Sequence, residues 1–338
     1  MPPIAYDIVS FFLLEKIYYG GDEETSERNE EYHKLFDECI LTRAKDIIIE
    51  YPVFESLFNN MFCYCPYSHK KEEGSIEVLA NLLLENTVFF AFSESEVLDY
   101  LEKGKLRDLK KSAKYAYTKQ FIDPDAIGTA GEMLLDVLIQ MIDSDSQKMF
   151  TRLKVGFKQR NPTGYDAAYF STRDSEIQFW LGQVKTNTSM AESKRGIMED
   201  LQKNTKTYFS DYMFYVASRK EDKLVNIMND LNSLAEMAAE ENWDSDHKYK
   251  EVIKALKRNN VRIKLPCLMV FSHECYYHDD FKRSMDDVSD SIKGYFDEKI
   301  KCDDLKIEID ADMIDIVPFY IFPVSDVSKL RELVVARK

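Results

Sequence analysis

The sequence predicts an α/β fold built around one main sheet, and three observations predict it. From residue 123 onward, apolar segments with helical spacing alternate with short runs rich in β-branched and aromatic residues. Turn-forming clusters such as Asn161-Pro162-Thr163 and Ser171-Thr172-Arg173-Asp174 separate those runs. The chain has 338 residues and is 45% hydrophobic, ample material for a core, which excludes global disorder.

Residues 1–122 read as a mostly helical N-terminal region and a candidate partner-docking region. Periodic apolar positions occur around Leu35, Ile40 and Leu41, a buried run spans Ile76–Phe92, and Val97, Leu98 and Leu101 share a face behind a cap at Ser93 or Ser95. Asp123-Pro124-Asp125 marks the boundary with residues 123–338. Glu132–Ile142 reads as a short apolar helix, and Leu153–Gln159, Gly164–Ser171 and Ile177–Lys185 as three successive strands. Met190–Phe209 reads as a long amphipathic helix and Tyr212–Ala217 as a further strand, so the core order over about 125–218 is helix, three strands, helix, strand. A strand at Ile263–Phe271, a helix at Phe281–Phe296 and a β segment at Ile314–Phe322 form a C-terminal α/β elaboration.

The chain carries 45 Lys+Arg against 60 Asp+Glu, a net charge of −15, which argues against a basic nucleic-acid coat but leaves room for a local basic groove. The N-terminus has no basic leader, no stretch approaches ~18 uncharged apolar residues, and six cysteines are sparse in a chain of this length. The expectation is a cytoplasmic protein with reduced thiols and no membrane association.

Candidate chemistry sits on the helix–strand core. Successive side chains on a strand alternate faces, so Gln183 and Lys185 project together with Val184 turned away. Adjacent antiparallel strands can bring Asp166 beside that pair. The preceding helix keeps one polar stripe, Glu132, Asp136 and Gln140, at i, i+4 and i+8. Mg²⁺ takes hard oxygen ligands, commonly one or two carboxylates completed by water and phosphate. Asp166 is the first ligand candidate, Glu132 the second, with Gln183 and the Val184 carbonyl as further ones. Lys185 can act on the water or on charge building at a phosphate. The chemistry is metal-assisted phosphodiester hydrolysis, with Mn²⁺ able to replace Mg²⁺.

These residues resemble the PD-(D/E)xK nuclease superfamily. More narrowly, GEMLLDVL, GYDAAYF and WLGQVKT are similar to HamA, the nuclease component of the Hachiman antiphage defence system, over roughly Asp125 to the end. Leu265-Pro266-Cys267-Leu268 and Tyr320-Ile321-Phe322-Pro323 also resemble that family's C-terminal half. The resemblance implies a restriction-endonuclease-like core, DNA cleavage with little sequence preference, a role in antiviral immunity, and control by a helicase partner, HamB. Gln183 stands where the family has Glu. Gln keeps an amide oxygen but loses the negative charge, so metal affinity should fall.

Plainer assignments compete with these. Thr129 and Glu132 fit a capping box, which accounts for Glu132 without catalysis. Asp166 could be a turn-proximal surface residue, and Gln183 with Lys185 a solvated strand face. Cys63-x-Cys65-x3-His69 and His273-x-Cys275-x2-His278 lack standard zinc spacing, so zinc is not expected. Ser146–Tyr165 holds Lys148, Arg152, Lys154, Lys158 and Arg160 with no acidic residue, and the helix after the motif adds Lys194 and Arg195. Lys154, Lys158, Arg160, Lys194 and Arg195 are the candidate nucleic-acid contacts. The alternatives to a nonspecific deoxyribonuclease are a catalytically inactive DNA- or partner-binding subunit, a sequence-specific restriction endonuclease, and a ribonuclease.

Overall fold

The computed structural model describes residues 30–51, 54–55, 61–69, 75–92, 94, 97–99, 128–149, 165–173, 176–218, 224–273 and 281–335. The Asp123-Pro124-Asp125 boundary, the strand expected at Leu153–Gln159, Lys154, Lys158, Arg160 and Cys275 lie outside them.

Residues 30–36 are helical, Asp37–Leu41 form a π-turn and Thr42–Ile47 continue as α1. The strands β1 (Ile48–Glu50), β2 (Phe54–Glu55) and β3 (Phe62–His69) follow, then α2 (Ser75–Ala91) and α3 (Thr129–Ile142). Next come β4 (Gln147–Lys148), β5 (Ala167–Arg173), β6 (Glu176–Asn187), α4 (Met190–Gln202), α5 (Lys206–Ala217), α6 (Val225–Glu240) and α7 (Ser245–Arg258). The chain closes with β7 (Val261–Lys264), β8 (Cys267–Ser272), α8 (Phe281–Lys301), β9 (Ile314–Val324) and α9 (Val327–Val335).

All nine strands among the described residues join one sheet, ordered β1-β3-β9-β7-β6-β5-β4, with β2 on β3 and β8 between β6 and β9. β4, β5 and β6 are antiparallel neighbours, whereas β6, β7, β8, β9 and β3 run parallel. Apolar side chains fill both faces, as a central parallel sheet requires. Trp180, Val184, Leu268, Val270, Tyr320 and Phe322 pack with α1, α2, α3 and α9. Phe179, Leu181, Cys267, Met269, Phe271, Phe319 and Ile321 pack with α4 to α8. Consecutive residues thus alternate between two helical layers.

Several expectations are corrected. Met190–Phe209 is not one helix. The Asn204 side chain hydrogen-bonds back to the Asp200 carbonyl, and the Thr205 hydroxyl accepts from the Tyr208 N–H to start α5. Tyr212–Ala217 is helical, not a strand. Phe209, Tyr212, Met213, Val216 and Ala217 are buried at helical spacing, and that stripe overrides the β propensity of the aromatic residues. The strand parallel to β6 comes later, after α5, α6 and α7. Ile263–Phe271 is likewise interrupted: Pro266 has no N–H to donate, and β7 ends before it while β8 begins after it. The described part of the N-terminal region is mostly helical as expected, but it also supplies β3, whose residues Phe62 to Tyr67 alternate between the two layers and which pairs in parallel with β9. No helix among the described residues is long and apolar enough to cross a membrane.

Candidate active site

β5 and β6 pair from Arg173↔Glu176 to Ala167↔Gly182, and the Asp166 N–H donates to the Gly182 carbonyl at 2.8 Å. The Val184 N–H instead donates to the Asp166 carboxylate, 2.7 Å from Oδ2. Asp166 therefore takes the place of a backbone acceptor at the point where the two strands part. The N–H and C=O of one strand residue project to the same side, so the Val184 carbonyl points to this edge as well. On the other side of β6, the Gln183 N–H donates to the Pro266 carbonyl at 2.8 Å, which seats the β7/β8 break beside the site.

Glycines set the layers close. A Cβ on Gly182 would stand 2.6 Å from Leu135 Cδ2 and 3.2 Å from Ala167 Cβ. A Cβ on Gly131 would meet Thr186 Oγ1 at 2.1 Å and Val184 Cγ1 at 2.6 Å, so α3 approaches β6 through bare backbone. On the opposite face the Lys185 stem lies over Gly196 of α4, where a Cβ would be 2.9 Å from Cδ. The expected alternation of Gln183 and Lys185 against Val184 is realised in these contacts.

The Lys185 ammonium reaches Asp200 of α4, 2.5 Å from Oδ2, and Lys203 holds Oδ1 of the same carboxylate at 2.8 Å. Asp200 is 6% exposed. Its hydrogen bond to Lys203, aided by Asp166 and Glu199, raises the Lys203 pKa. Tyr208 of α5 is pushed up to about 12 by burial and by the charges of Asp166 and Asp200, while a hydrogen bond with the Gln183 side chain pulls the other way. Tyr165 packs edge-on against Tyr208 and Tyr212 and donates to Asn204. Burial pushes its pKa up further. Asp166, Gln183 and Lys185 thus share one walled polar site with Asp200, Lys203 and Tyr208.

Glu132 is on α3, the layer on the opposite face of β6, and its Oε1 folds back toward the Gly128 backbone. The capping box does not form: the N-cap is Gly128, without a side-chain cap. The rest of the polar stripe serves the interior. Asp136 accepts from Asn86 at 2.7 Å and from Tyr169, and lies 3.2 Å from the Lys148 ammonium. Gln140 donates to the Ser146 carbonyl at 3.1 Å. Lys148 is therefore an inward-facing partner of Asp136, not part of a basic groove. Lys194 stacks over Tyr295 and bonds Ser291, and burial lowers its pKa. Arg195 is exposed, 3.9 Å from Glu199.

Sequence reasoning missed Asp200 and Tyr208. The signal was present for the first: Ser193, Ile197, Asp200 and Leu201 form the buried stripe of α4, and an acidic residue on such a stripe calls for a cationic partner. Tyr208 could not be found while α4 and α5 were read as one helix.

A magnesium site fits the donor chemistry present. The Asp166 carboxylate and the Val184 carbonyl share one edge, and Gln183, on the same face of β6 as Lys185, carries an amide oxygen as a third donor type. Among the described residues no three His, Cys, Asp or Glu side chains converge as a metal-holding group, so an ion here would need water or phosphate oxygens to complete its shell. Cys63 and Cys65 place their sulfurs 3.5 Å apart in a thiol contact on β3.

No curated protein and no solved structure matches the chain. The HamA family does match, over residues 23–337, nearly the whole length and including every site residue above. The chain belongs to the HamA family and is a component of the Hachiman antiphage defence system.

Proposed function

We propose that the chain hydrolyses DNA phosphodiester bonds with Mg²⁺, or with Mn²⁺ in its place, at Asp166, Gln183, Val184 and Lys185. The observation that carries this reading is the Asp166 carboxylate hydrogen-bonded to Val184 where β5 and β6 part, with Lys185 one residue further on. The order helix, antiparallel strands, helix and parallel strand supports a PD-(D/E)xK-type core, its last strand displaced to β7/β8 by three inserted helices. A bound divalent ion supplies Lewis acidity at the phosphate and a more acidic water. Asp166, the Gln183 amide oxygen and the Val184 carbonyl are the groups that would hold such an ion. Lys185 places its ammonium where negative charge builds on the phosphate. Family membership in antiphage defence supports DNA as substrate and a HamB-like helicase as the partner that delivers it.

A second reading is a catalytically silent DNA- or partner-binding subunit. Gln183 in place of Glu favours it, as does the tie of Lys185 to Asp200. Plasmid degradation with Mg²⁺, partner helicase and activating DNA separates the two. The hydrolase reading expects a smear from the wild type and losses of about 10²-fold or more for Asp166→Ala and Lys185→Ala. Glu132→Ala should cost less than Asp166→Ala, because α3 carries Glu132 on the other face. Wild type that leaves the plasmid intact supports the binding subunit, and discrete fragments would point to sequence-specific cleavage.

A further inference from the structure

We propose that Asp200 is the positioning residue of Lys185: α4 carries a buried carboxylate that holds the Lys185 ammonium beside Asp166 and Gln183. The proposal rests on the hydrolytic reading and adds a residue to it from a different element.

Three observations converge. Asp200 is 6% exposed, yet it is acidic and on the buried stripe of α4, where an unpaired charge would be costly. Both of its oxygens are engaged by ammonium groups, Lys185 at 2.5 Å and Lys203 at 2.8 Å, so its position is defined from two sides. Gly196, four residues earlier on the same helix face, gives the Lys185 stem its passage, with Cγ, Cδ and Cε at 2.9–3.0 Å from where a Cβ would stand. A lysine has a flexible four-carbon stem and loses rotamer freedom when fixed. The glycine track and the carboxylate at its end confine that stem to one path. Lys203 offsets the second half of the Asp200 charge, leaving the Lys185 ammonium able to face a phosphate as well as Asp200.

The test uses the full chain with the partner helicase, activating DNA and Mg²⁺, and compares Lys185→Ala, Asp200→Asn, the double variant and Gly196→Ala. Asp200→Asn is expected to lower kcat about tenfold or more with KM changed less than about threefold. In the double variant it should add nothing to Lys185→Ala, because the two side chains act as one unit. Gly196→Ala should slow cleavage while Tm holds or rises, since alanine favours a helix interior. A merely structural Asp200 would instead lower Tm and add to Lys185→Ala. Asp200→Asn with wild-type kcat, or full additivity in the double variant, overturns the proposal. A crystal structure of Asp200→Asn decides it without cleavage: Lys185 should leave the Gly196 track, and Lys185 in its original place overturns the proposal. Wild type that cleaves no better than Asp166→Ala sinks the hydrolase reading, while that structure still decides the role of Asp200.

Discussion

Gln183 is the residue on which the metal chemistry turns. Its amide hydrogen-bonds with Tyr208, but the side chain brings no charge to the edge where Asp166 supplies its carboxylate. Asp200 on the same wall is already shared by two lysines. Divalent-ion affinity therefore depends heavily on Asp166 and on oxygens from outside the chain. Gln183→Glu should tighten Mn²⁺ binding by about tenfold, equivalent to ~1.4 kcal/mol, read by calorimetry without DNA. Unchanged affinity would count against a hard-oxygen site at this edge.

At the scale of elements, the site depends on how closely α3 and α4 approach β6. Both approaches use glycine, and they differ in what lies opposite. Gly196 faces an unbranched lysine stem that an added methyl would displace, whereas Gly131 faces the branched side chains of Thr186 and Val184. Gly131→Ala should therefore push α3 away from β6 and destabilise the protein by about 1–3 kcal/mol, the usual cost of overpacking. Urea unfolding should show a lower midpoint with an unchanged slope. An equal or higher midpoint would mean that the layers are looser than described. The α4–α5 break belongs to the same scale, since Asn204 and Thr205 end one helix and start the next, which puts Tyr208 against Gln183.

Across the whole molecule, the two apolar layers bury many tyrosines. Burial pushes the pKa values of Tyr32, Tyr165 and Tyr320 well above the ordinary value. It does the same for Tyr64 and Tyr67, reinforced by Asp297 and Glu50. An unfolded tyrosine gives up its proton near 10, while these folded ones retain it. The native state then binds more protons than the unfolded state above that pH, so stability is fully present below about pH 10 and falls as pH rises beyond it. Urea midpoints should be flat to about pH 9.5 and decline above, with tyrosinate absorbance lagging until unfolding. A flat profile to pH 11 would contradict the burial.

Charge at this scale also differs from its pattern along the chain. Lys148 belongs to the basic stretch in sequence but is spent on Asp136 in the interior. Lys194 is packed on α8 rather than displayed alone. Arg195 remains the exposed basic candidate among the described ones.

The sequence by itself determined the α/β class, the strand pair around Asp166 and Gln183–Lys185, and the family, because period-two alternation and short motifs are local properties of the chain. α3, β6, α8 and β9 were legible for the same reason. Only the tertiary structure decided that Tyr212–Ala217 is a helix, that the parallel neighbour of β6 comes from Val261–Ser272, and that β3 joins the sheet. Burial against distant elements outweighs local propensity in each case. It also decided the wall of the site: Asp200 and Tyr208 meet Lys185 and Gln183 through the packing of α4 and α5 on the sheet, a contact that no spacing within the sequence encodes.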